Sequence, residues 1–269
     1  MKNLVFISGA TGGLGKAFAV ECASRGWDLF LTDLDPILLE TLSNGLCNTY
    51  SVKIIHRPCD LTDLLARTRM FEAIREEALK FRCLINVAGV DFEGPFSDQS
   101  RDAIRTIVRL NIEATLDVTH ELLDRADPST PFRIINVASL AAFYPMPIKA
   151  TYAASKRFLV DFSLALRDEV ASRGATVTVL CPAGMPTTPD CIHGIEVQGL
   201  MGQLTTQNIG TVAAQTLDYA MQGRPMVIPG VLNQILQMAG NLVPPISLAG
   251  LIGNRWRAAY QKRIRAIEA

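Results

Sequence analysis

Short runs of apolar residues recur along the chain and alternate with longer segments of helical periodicity. The first run, Leu4-Val-Phe-Ile-Ser8, is apolar at consecutive positions, which is typical of a strand buried on both faces. Similar runs predict seven strands, at about residues 3–8, 28–33, 51–57, 83–87, 132–138, 175–181 and 226–229. The pattern predicts an α/β fold, a doubly wound parallel sheet of seven strands with helices on both faces.

Parallel strands joined by right-handed crossovers bring their carboxyl ends to one edge of the sheet, where such sheets bind ligands. Polar or turn-forming residues stand at or just beyond the ends of six predicted strands. They are Ser8, Asp33, Asp60, Asn86, Ser139 and Pro182. We therefore expect the functional site at this edge.

A glycine-rich turn, Gly9-Ala-Thr-Gly-Gly-Leu-Gly15, joins the first predicted strand to a helical segment. Glycine lets a backbone approach a diphosphate closely, and a helix N-terminus offers unbonded amide groups and a positive dipole end. Thr11 stands where the Gly-x-Gly-x-x-Gly motif would require its second glycine. The spacing of Gly9, Gly13 and Gly15 instead fits Gly-x-x-x-Gly-x-Gly. The turn predicts a dinucleotide site.

Tyr152 and Lys156 stand four residues apart, with Ser139 thirteen residues before Tyr152. In a helix, residues at i and i+4 share one face, so the spacing holds an ammonium near a phenol. A nearby positive charge favours the phenolate, so we expect Lys156 to lower the pKa of Tyr152 from its usual value of about 10 toward neutrality. Ser139 would offer a hydroxyl to the same reacting oxygen.

With this glycine spacing and this Ser-Tyr-Lys set, the chain resembles the short-chain dehydrogenase/reductase family from about residue 1 to residue 229. The resemblance implies a single-domain Rossmann fold and hydride transfer between a nicotinamide cofactor and an alcohol or carbonyl group. It assigns the catalytic roles to Asn111, Ser139, Tyr152 and Lys156, with Lys156 also holding the nicotinamide ribose and Asn111 anchoring a water of a proton relay. Both Ser139 and Asn111 also have a purely structural interpretation. Ser139 could cap the end of a strand, and Asn111 could be a mid-helix polar group bonded to backbone.

The same resemblance implies a set of cofactor contacts along the sheet edge. Their positions are Ser8, Gly9, Thr11, Gly12, Gly13, Leu14, Gly15, Asp33, Leu34, Asp60, Leu61, Asn86, Ala88, Gly89, Tyr152, Lys156, Pro182, Gly184 and Thr187. Two positions depart from the family pattern, because Val87 replaces the second Asn of Asn-Asn-Ala-Gly and Ala183 replaces the Gly after Pro182. The first change removes side-chain hydrogen bonds of the lost Asn, and the second leaves the local backbone geometry open.

Asp33 ends the second predicted strand, where a carboxylate accepts hydrogen bonds from an adenosine ribose and repels a 2′-phosphate. Gly12 and Leu34 occupy positions where family members that prefer NADP usually carry a basic residue. We therefore expect NAD as cofactor, with NADP as the less favoured one. The alternative for Asp33 is a turn residue, since Asp35-Pro36 follows and begins a helix.

The composition excludes several classes of function. Twenty-six basic residues balance 26 acidic ones, so no overall positive field attracts nucleic acid. The six cysteines form no Cys-x-x-Cys pair, which favours reduced core thiols over a disulfide framework, and we expect no metal site. The first strand begins within three residues of Met1, leaving no room for a signal peptide, so we expect a cytoplasmic enzyme.

Two apolar segments are candidates for the substrate pocket: residues 142–147 and residues 188–204. They favour a bulky hydrophobic alcohol or ketone, such as a steroid, a bile acid or a fatty chain, although ordinary loop packing would explain them equally well. The leading hypothesis is an NAD-dependent oxidoreductase of such substrates. The alternatives are an NADPH-dependent carbonyl reductase and a non-catalytic nucleotide-binding module.

Residues 1–230 form the predicted catalytic domain, and residues 231–269 form an apolar and then basic extension packed on it. From Pro225 to Asn254 the chain has no charged residue or histidine, and Pro244-Pro245 would break a spanning helix. We expect the extension to be a lid or a subunit contact, and attachment to a membrane surface is the less favoured interpretation. By family resemblance we expect a homodimer or a homotetramer.

Overall fold

The computed structural model describes residues 3–187, 191–192, 195 and 200–268. The first half contains β1 (Leu4–Ser8), α1 (Gly13–Ser24), β2 (Leu29–Asp33), α2 (Pro36–Thr49), β3 (Ile54–Pro58), α3 (Leu64–Glu76), β4 (Phe81–Asn86), α4 (Arg101–Val108), a π-helical turn (Arg109–Glu113) and α5 (Ala114–Leu123). The second half contains β5 (Phe132–Val137), α6 (Ala150–Val170), β6 (Ala175–Leu180), α7 (Leu200–Thr205), α8 (Ile209–Met221), β7 (Met226–Val227), α9 (Val231–Leu242) and α10 (Pro245–Glu268).

The seven strands form one sheet in the order β3-β2-β1-β4-β5-β6-β7, and every neighbouring pair is parallel. The predicted fold class is therefore confirmed. The strand order reverses between β1 and β4, which creates the crevice where such sheets bind their ligands. Strand boundaries differ from the sequence prediction by a few residues at most; β3, for example, begins at Ile54 rather than near residue 51.

Consecutive residues of the central strands are buried on opposite faces of the sheet. In β1, Val5 and Ile7 belong to the core cluster that includes Phe18 of α1, while Leu4 and Phe6 belong to the cluster that includes Ile74 of α3. The rings of Phe6 and Phe30 stack with centroids 5.1 Å apart, and Phe81 meets both edge-on. Burial on both faces explains why these strands are apolar at successive positions.

Side-chain caps fix where several helices begin. The Asp35 carboxylate accepts hydrogen bonds from the amides of Ile37 and Leu38, and Pro36 occupies the first turn of α2. Asp63 caps α3 in the same way. Both caps are short polar residues directly before a helical pattern, which is the arrangement that marks a helix start in sequence.

A chain of polar side chains crosses the core between α5, the sheet and α6. Asn86 at the end of β4 donates to Thr119 and to Asn136, and Asn136 donates to Ser163 at 2.9 Å. All four residues are buried. Since a buried polar group without a partner is costly, this chain fixes the register of β4 and β5 against the two helices.

Four of the six cysteines are buried, as expected for core thiols, while Cys47 and Cys191 are exposed, and none of the six forms a disulfide bond. Within the described residues, no helix combines the length and the apolar character needed to cross a bilayer.

Candidate active site

The glycine turn after β1 is shaped by two close backbone contacts. Gly9 has φ +63°, and a Cβ there would lie 2.8 Å from the Cα of Ala88 in the turn after β4. At Gly15 a Cβ would lie only 1.9 Å from the carbonyl oxygen of Gly9. Only glycine fits both positions, so the turn stays compact and α1 begins immediately behind it at Gly13, with Gly12 as its N-cap.

Thr11 connects this turn to the end of β2. Its amide and its hydroxyl both donate to one carboxylate oxygen of Asp33, at 2.8 and 2.7 Å. The other oxygen of Asp33 accepts from the Leu34 amide at 2.7 Å. The glycine turn therefore holds Asp33 in place through the two hydrogen bonds from Thr11, and the helix start at Asp35 contributes less to its position.

The turn after β4 lies between the glycine turn and the candidate catalytic helix. Ser8 accepts hydrogen bonds from the amides of Val87 and Ala88, at 3.1 and 3.2 Å, so this turn keeps its place although Val87 replaces the usual Asn. A Cβ at Gly89 would lie 3.1 Å from both Asn111 Oδ1 and Lys156 Nζ. The side chain of Asn86 is hydrogen-bonded to Thr119 and Asn136 in the buried polar chain, so only the backbone of Asn86 can face a ligand.

Other predicted cofactor residues also lie along this edge. Thr187 borders the start of α1, because a Cβ on Gly13 would come within 2.9 Å of its side chain. Asp60 is exposed and accepts from the amide and hydroxyl of Thr62. Leu61 and Leu14 are buried, and Leu34 is exposed. The Pro182 carbonyl accepts from the Leu140 amide, and that of Gly184 from the Gln207 amide.

Tyr152, Lys156 and Ser139 meet as the spacing predicts. Tyr152 and Lys156 lie on α6, with Lys156 Nζ 5.8 Å from the centre of the Tyr152 ring and donating to the Val137 carbonyl at 2.9 Å. Ser139 forms a hydrogen bond with the Tyr152 side chain. Ser139 also accepts from the Ala141 amide at 3.1 Å, so its capping role and its contact with Tyr152 coexist.

The prediction that the pKa of Tyr152 is lowered is wrong for this structure, in which the pKa is raised. Burial of the phenol raises the pKa of Tyr152 to about 12, and the carboxylate of Asp91 adds to the rise, while the hydrogen bond with Ser139 and the charge of Lys149 oppose it. Burial also lowers the pKa of Lys156 to about 8. Removal of water from the phenolate outweighs the nearby charges, which a spacing argument on Lys156 alone could not show.

A charged cluster beside Tyr152 was missed by the sequence analysis. The ammonium of Lys149, at the N-cap of α6, lies 2.5 Å from Asp91 and 3.2 Å from Glu93. It also lies 5.9 Å from the ring centre of Tyr152 and 5.2 Å from that of Trp256 in α10. Although burial opposes its charge, the two carboxylates raise the pKa of Lys149. Its position three residues before Tyr152 was the available signal.

Asn111 is fully buried in the π-helical turn between α4 and α5. Its side chain donates to the Val90 carbonyl and to Ser155, both at 3.0 Å, and accepts from the Val90 amide at 2.9 Å. Asn111 thus fastens the turn after β4 to α6, which matches the alternative of a polar group bonded to backbone. Its predicted role in a proton relay stays a prediction.

The two helices after β7 pack against loops around Tyr152. In α9, a Cβ on Gly240 would lie 2.6 Å from the Tyr144 ring, and the Tyr144 hydroxyl donates to the Leu236 carbonyl. In α10, a Cβ on Gly253 would lie 2.9 Å from Pro147. The second predicted substrate segment, residues 188–204, lies partly outside the described residues, which here comprise 191–192, 195 and 200–204.

These features together fit a dinucleotide. The compact glycine turn leaves the first amides of α1 facing the crevice at the switch point between β1 and β4, and the Asp33 carboxylate stands at the adjacent strand end. Within the described residues, no group of three or more His, Cys, Asp or Glu side chains is arranged to hold a metal ion.

Comparison with known proteins agrees with this geometry. The family model described as short chain dehydrogenase matches residues 3–190. Sulfoacetaldehyde reductase of Chromohalobacter salexigens is 36% identical over 185 residues, which are 68% of this chain and 72% of that protein. Very-long-chain 3-oxoacyl-CoA reductase of Coprinopsis cinerea is 32% identical over 64% of this chain, and the chain spans only 51% of that longer protein.

A third relative, inactive hydroxysteroid dehydrogenase-like protein 1 of Homo sapiens, is 33% identical over 68% of this chain and 56% of its own length. Among solved structures, a Sphingobium yanoikuyae short-chain dehydrogenase in complex with NADPH superposes with a TM-score of 0.75 at 24% identity, covering 90% of this chain and 96% of that one. The bulky-bulky ketone specific alcohol dehydrogenase of Comamonas testosteroni gives 0.74 at 23% identity, covering 90% and 95%. These two structures confirm the fold.

The fold and site define a class, the NAD(P)-dependent dehydrogenases and reductases of alcohol and ketone groups. The chain belongs to the short-chain dehydrogenase family.

The close contact at Gly15 gives a prediction about stability. Because an added methyl would collide with the Gly9 carbonyl, we expect Gly15→Ala to lower the free energy of unfolding by about 3 kcal/mol or more. Gly45→Ala is the matched control, since a Cβ at Gly45 in α2 meets nothing within 4 Å. It should stabilise the protein by about 0.5–1 kcal/mol. Urea unfolding measures both, and equal effects of the two changes would contradict the contact.

Proposed function

We propose that this protein transfers a hydride between NAD(H) and a secondary alcohol or ketone that is bulky and hydrophobic. The observation that carries the proposal is the meeting of Ser139, Tyr152 and Lys156 at the sheet edge that also holds the glycine turn. A bound nicotinamide would supply the redox step by accepting or donating the hydride. The protein's part is to position the reacting groups and to move one proton.

The proton is assigned to the Tyr152 hydroxyl. With a pKa raised to about 12, this phenol is protonated at neutral pH and is ready to donate to a ketone oxygen during reduction. Ser139, hydrogen-bonded to Tyr152, is positioned to donate to that oxygen as well. In the oxidation direction Tyr152 must first lose its proton, so we expect the oxidation rate to rise with pH.

The cofactor contacts follow from the geometry of the edge. The amides at the start of α1 would hold the diphosphate, and Lys156 would hold the nicotinamide ribose, since its ammonium lies beside the turn at Gly89. The Asp33 carboxylate accepts three hydrogen bonds from the protein at the end of β2, where it would repel a 2′-phosphate. This charge supports NAD over NADP, although one structural neighbour was solved with NADPH.

The surroundings of Tyr152 support a hydrophobic substrate. Phe143 and Met146, from the apolar segment before α6, are buried, and the Trp256 ring of α10 lies 5.2 Å from the Lys149 ammonium. The positive charge of Lys149 is already shared by two carboxylates, so this cluster offers no free cation for a sulfonate such as that in the name of one relative. The names of two other matched proteins, which refer to a very long chain and to bulky ketones, agree with a large apolar substrate.

We propose that residues 231–268 act as a lid over the substrate site beside Tyr152. In support, α9 contacts the segment at Tyr144, and α10 contacts the loop at Gly94. Tyr260 of α10 would lie 3.4 Å from a Cβ at Gly94. A screen of ketones and alcohols of increasing size tests the substrate class, and activity confined to polyols would contradict it.

A non-catalytic nucleotide-binding module is the second candidate, and one relative carries the word inactive in its name. The hydrogen bond between Ser139 and Tyr152 supports an enzyme, because a binding module has no need of a proton donor there. Homodimer or homotetramer formation through α4, α5 and α6 remains our proposal for the assembly.

Removal of the Tyr152 hydroxyl is the most direct test of the proposed reaction. We expect Tyr152→Phe to lower kcat by about a hundredfold to ten-thousandfold, the range that general acid catalysis contributes. NADH binding, followed by fluorescence titration, should remain, because the phosphate cradle is untouched. Unchanged turnover by Tyr152→Phe would disprove the mechanism, and loss of NADH binding would show that the change acts on cofactor binding or on the fold.

Removing either of two charges beside Tyr152 should shift the pH dependence of oxidation, in opposite directions. Asp91 raises and Lys149 lowers the pKa of Tyr152. The pH at which alcohol oxidation reaches half its maximum should therefore move down in Asp91→Asn and up in Lys149→Gln. Asp161→Asn is the control, since it removes the same charge from an exposed ion pair of α6. Shifts of the same sign in the first two variants would contradict the arrangement.

The cofactor preference is tested at Asp33. We expect the unmodified protein to bind NADH at least about tenfold more tightly than NADPH, because a carboxylate repels the 2′-phosphate. Asp33→Asn keeps a carbonyl acceptor for Thr11 but removes the charge, so it should tighten NADPH binding and leave NADH binding nearly unchanged. Isothermal titration measures all four affinities. Tighter binding of NADPH by the unmodified protein would refute the NAD assignment.

A further inference from the structure

Helix α9 carries a row of exposed apolar side chains. Val231, Ile235, Met238 and Leu242 follow one another at intervals of four, three and four residues and are between 57% and 82% exposed. Residues at this spacing share one face of a helix. Ile246, in the first turn of α10, is exposed as well. We call these five residues the α9 stripe.

The opposite face of α9 is fixed to the rest of the protein. Asn233 is buried and donates to the Pro229 carbonyl at 2.7 Å and to the Thr205 carbonyl at 3.1 Å. The hydroxyl of Tyr144 donates to the Leu236 carbonyl on the same helix. These contacts set the rotation of α9, so the α9 stripe points outward because the helix is held in that orientation.

The charges along the chain indicate what would cover the stripe. No charged residue or histidine occurs from Pro225 to Asn254, so the segment that carries the stripe has no formal charge. Five basic residues then follow before the single acid Glu268: Arg255, Arg257, Lys262, Arg263 and Arg265. An apolar helix face next to a basic segment complements a membrane surface, where acyl chains lie below anionic headgroups.

We propose that this protein binds the surface of anionic lipid bilayers, with the α9 stripe in contact with the acyl chains and the basic segment, residues 255–265, in contact with the headgroups. The chain breaks between α9 and α10 at Val243 and Pro244, with Pro245 as the first residue of α10, so in this proposal the segment lies along the surface and does not cross it. A second copy of the chain is the competing occupant. A second stripe offers only apolar contact, whereas an anionic surface also attracts the basic segment that follows the stripe in the chain.

The test is sedimentation of the full-length protein with vesicles. The probes are vesicles of phosphatidylglycerol and phosphatidylcholine in equal parts, and vesicles of phosphatidylcholine alone. We expect binding to the anionic vesicles and at least about tenfold weaker binding to the neutral ones. Ile235→Gln/Met238→Gln should weaken binding to the anionic vesicles by at least about tenfold, because it removes half of the apolar contact from α9.

Leu64→Gln/Leu65→Gln is the matched control, since these two side chains of α3 are equally exposed but lie outside the α9 stripe. It should bind like the unmodified protein. Arg263→Gln/Arg265→Gln keeps the stripe and should weaken only binding to the anionic vesicles, by about tenfold. Circular dichroism and thermal unfolding confirm that each variant is folded.

Two results would overturn the proposal. The first is absence of binding to anionic vesicles, or equal binding by the unmodified protein and by Ile235→Gln/Met238→Gln. The second is a dimer, measured by light scattering, that Ile235→Gln/Met238→Gln converts to a monomer, with no vesicle binding in either form. That second result would assign the stripe to a second copy of the chain. Neither outcome depends on the proposed reaction, because vesicle binding is measured without substrate or cofactor.

Discussion

All seven strands run in the same direction, and the candidate site depends on this constraint. Parallel strands end at the same edge, so residues that are far apart in the chain, such as Ser8, Asn86 and Ser139, arrive there together. The order of the strands then places the ends of β1 and β4 side by side. The contact of Gly9 with Ala88, and the hydrogen bonds from the Val87 and Ala88 amides to Ser8, fasten these two strand ends to each other.

Burial is the second physical factor, and it acts on the chemistry of the site as well as on its stability. The phenol of Tyr152 is surrounded by protein, which disfavours its charged form more than the nearby ammonium groups favour it. The same burial lowers the pKa of Lys156. These surroundings therefore keep Tyr152 protonated, with Asp91 raising and Lys149 lowering its pKa.

The part of the chain after β7 has two different sides. Its inner side packs on the segment before α6 through Gly240 and Gly253, where a side chain would collide with Tyr144 or Pro147. Its outer side presents the α9 stripe. The proposed lid and the proposed lipid contact are compatible with each other, because they use opposite faces of α9.

The sequence by itself determined the strand and helix order, the glycine turn, and the pairing of Tyr152 with Lys156, because these follow from periodicity and from spacing within one helix or turn. The grouping of Ser139 with this pair came from the family resemblance. The tertiary structure alone decided the sign of the pKa shift at Tyr152, the bonding of Asp33 to Thr11, and the commitment of Asn86 to a buried polar chain. It also brought Asp91 and Glu93, from the loop after β4, and Trp256, from α10, to Lys149. These features depend on burial and on contacts between residues distant in sequence, which local pattern does not encode.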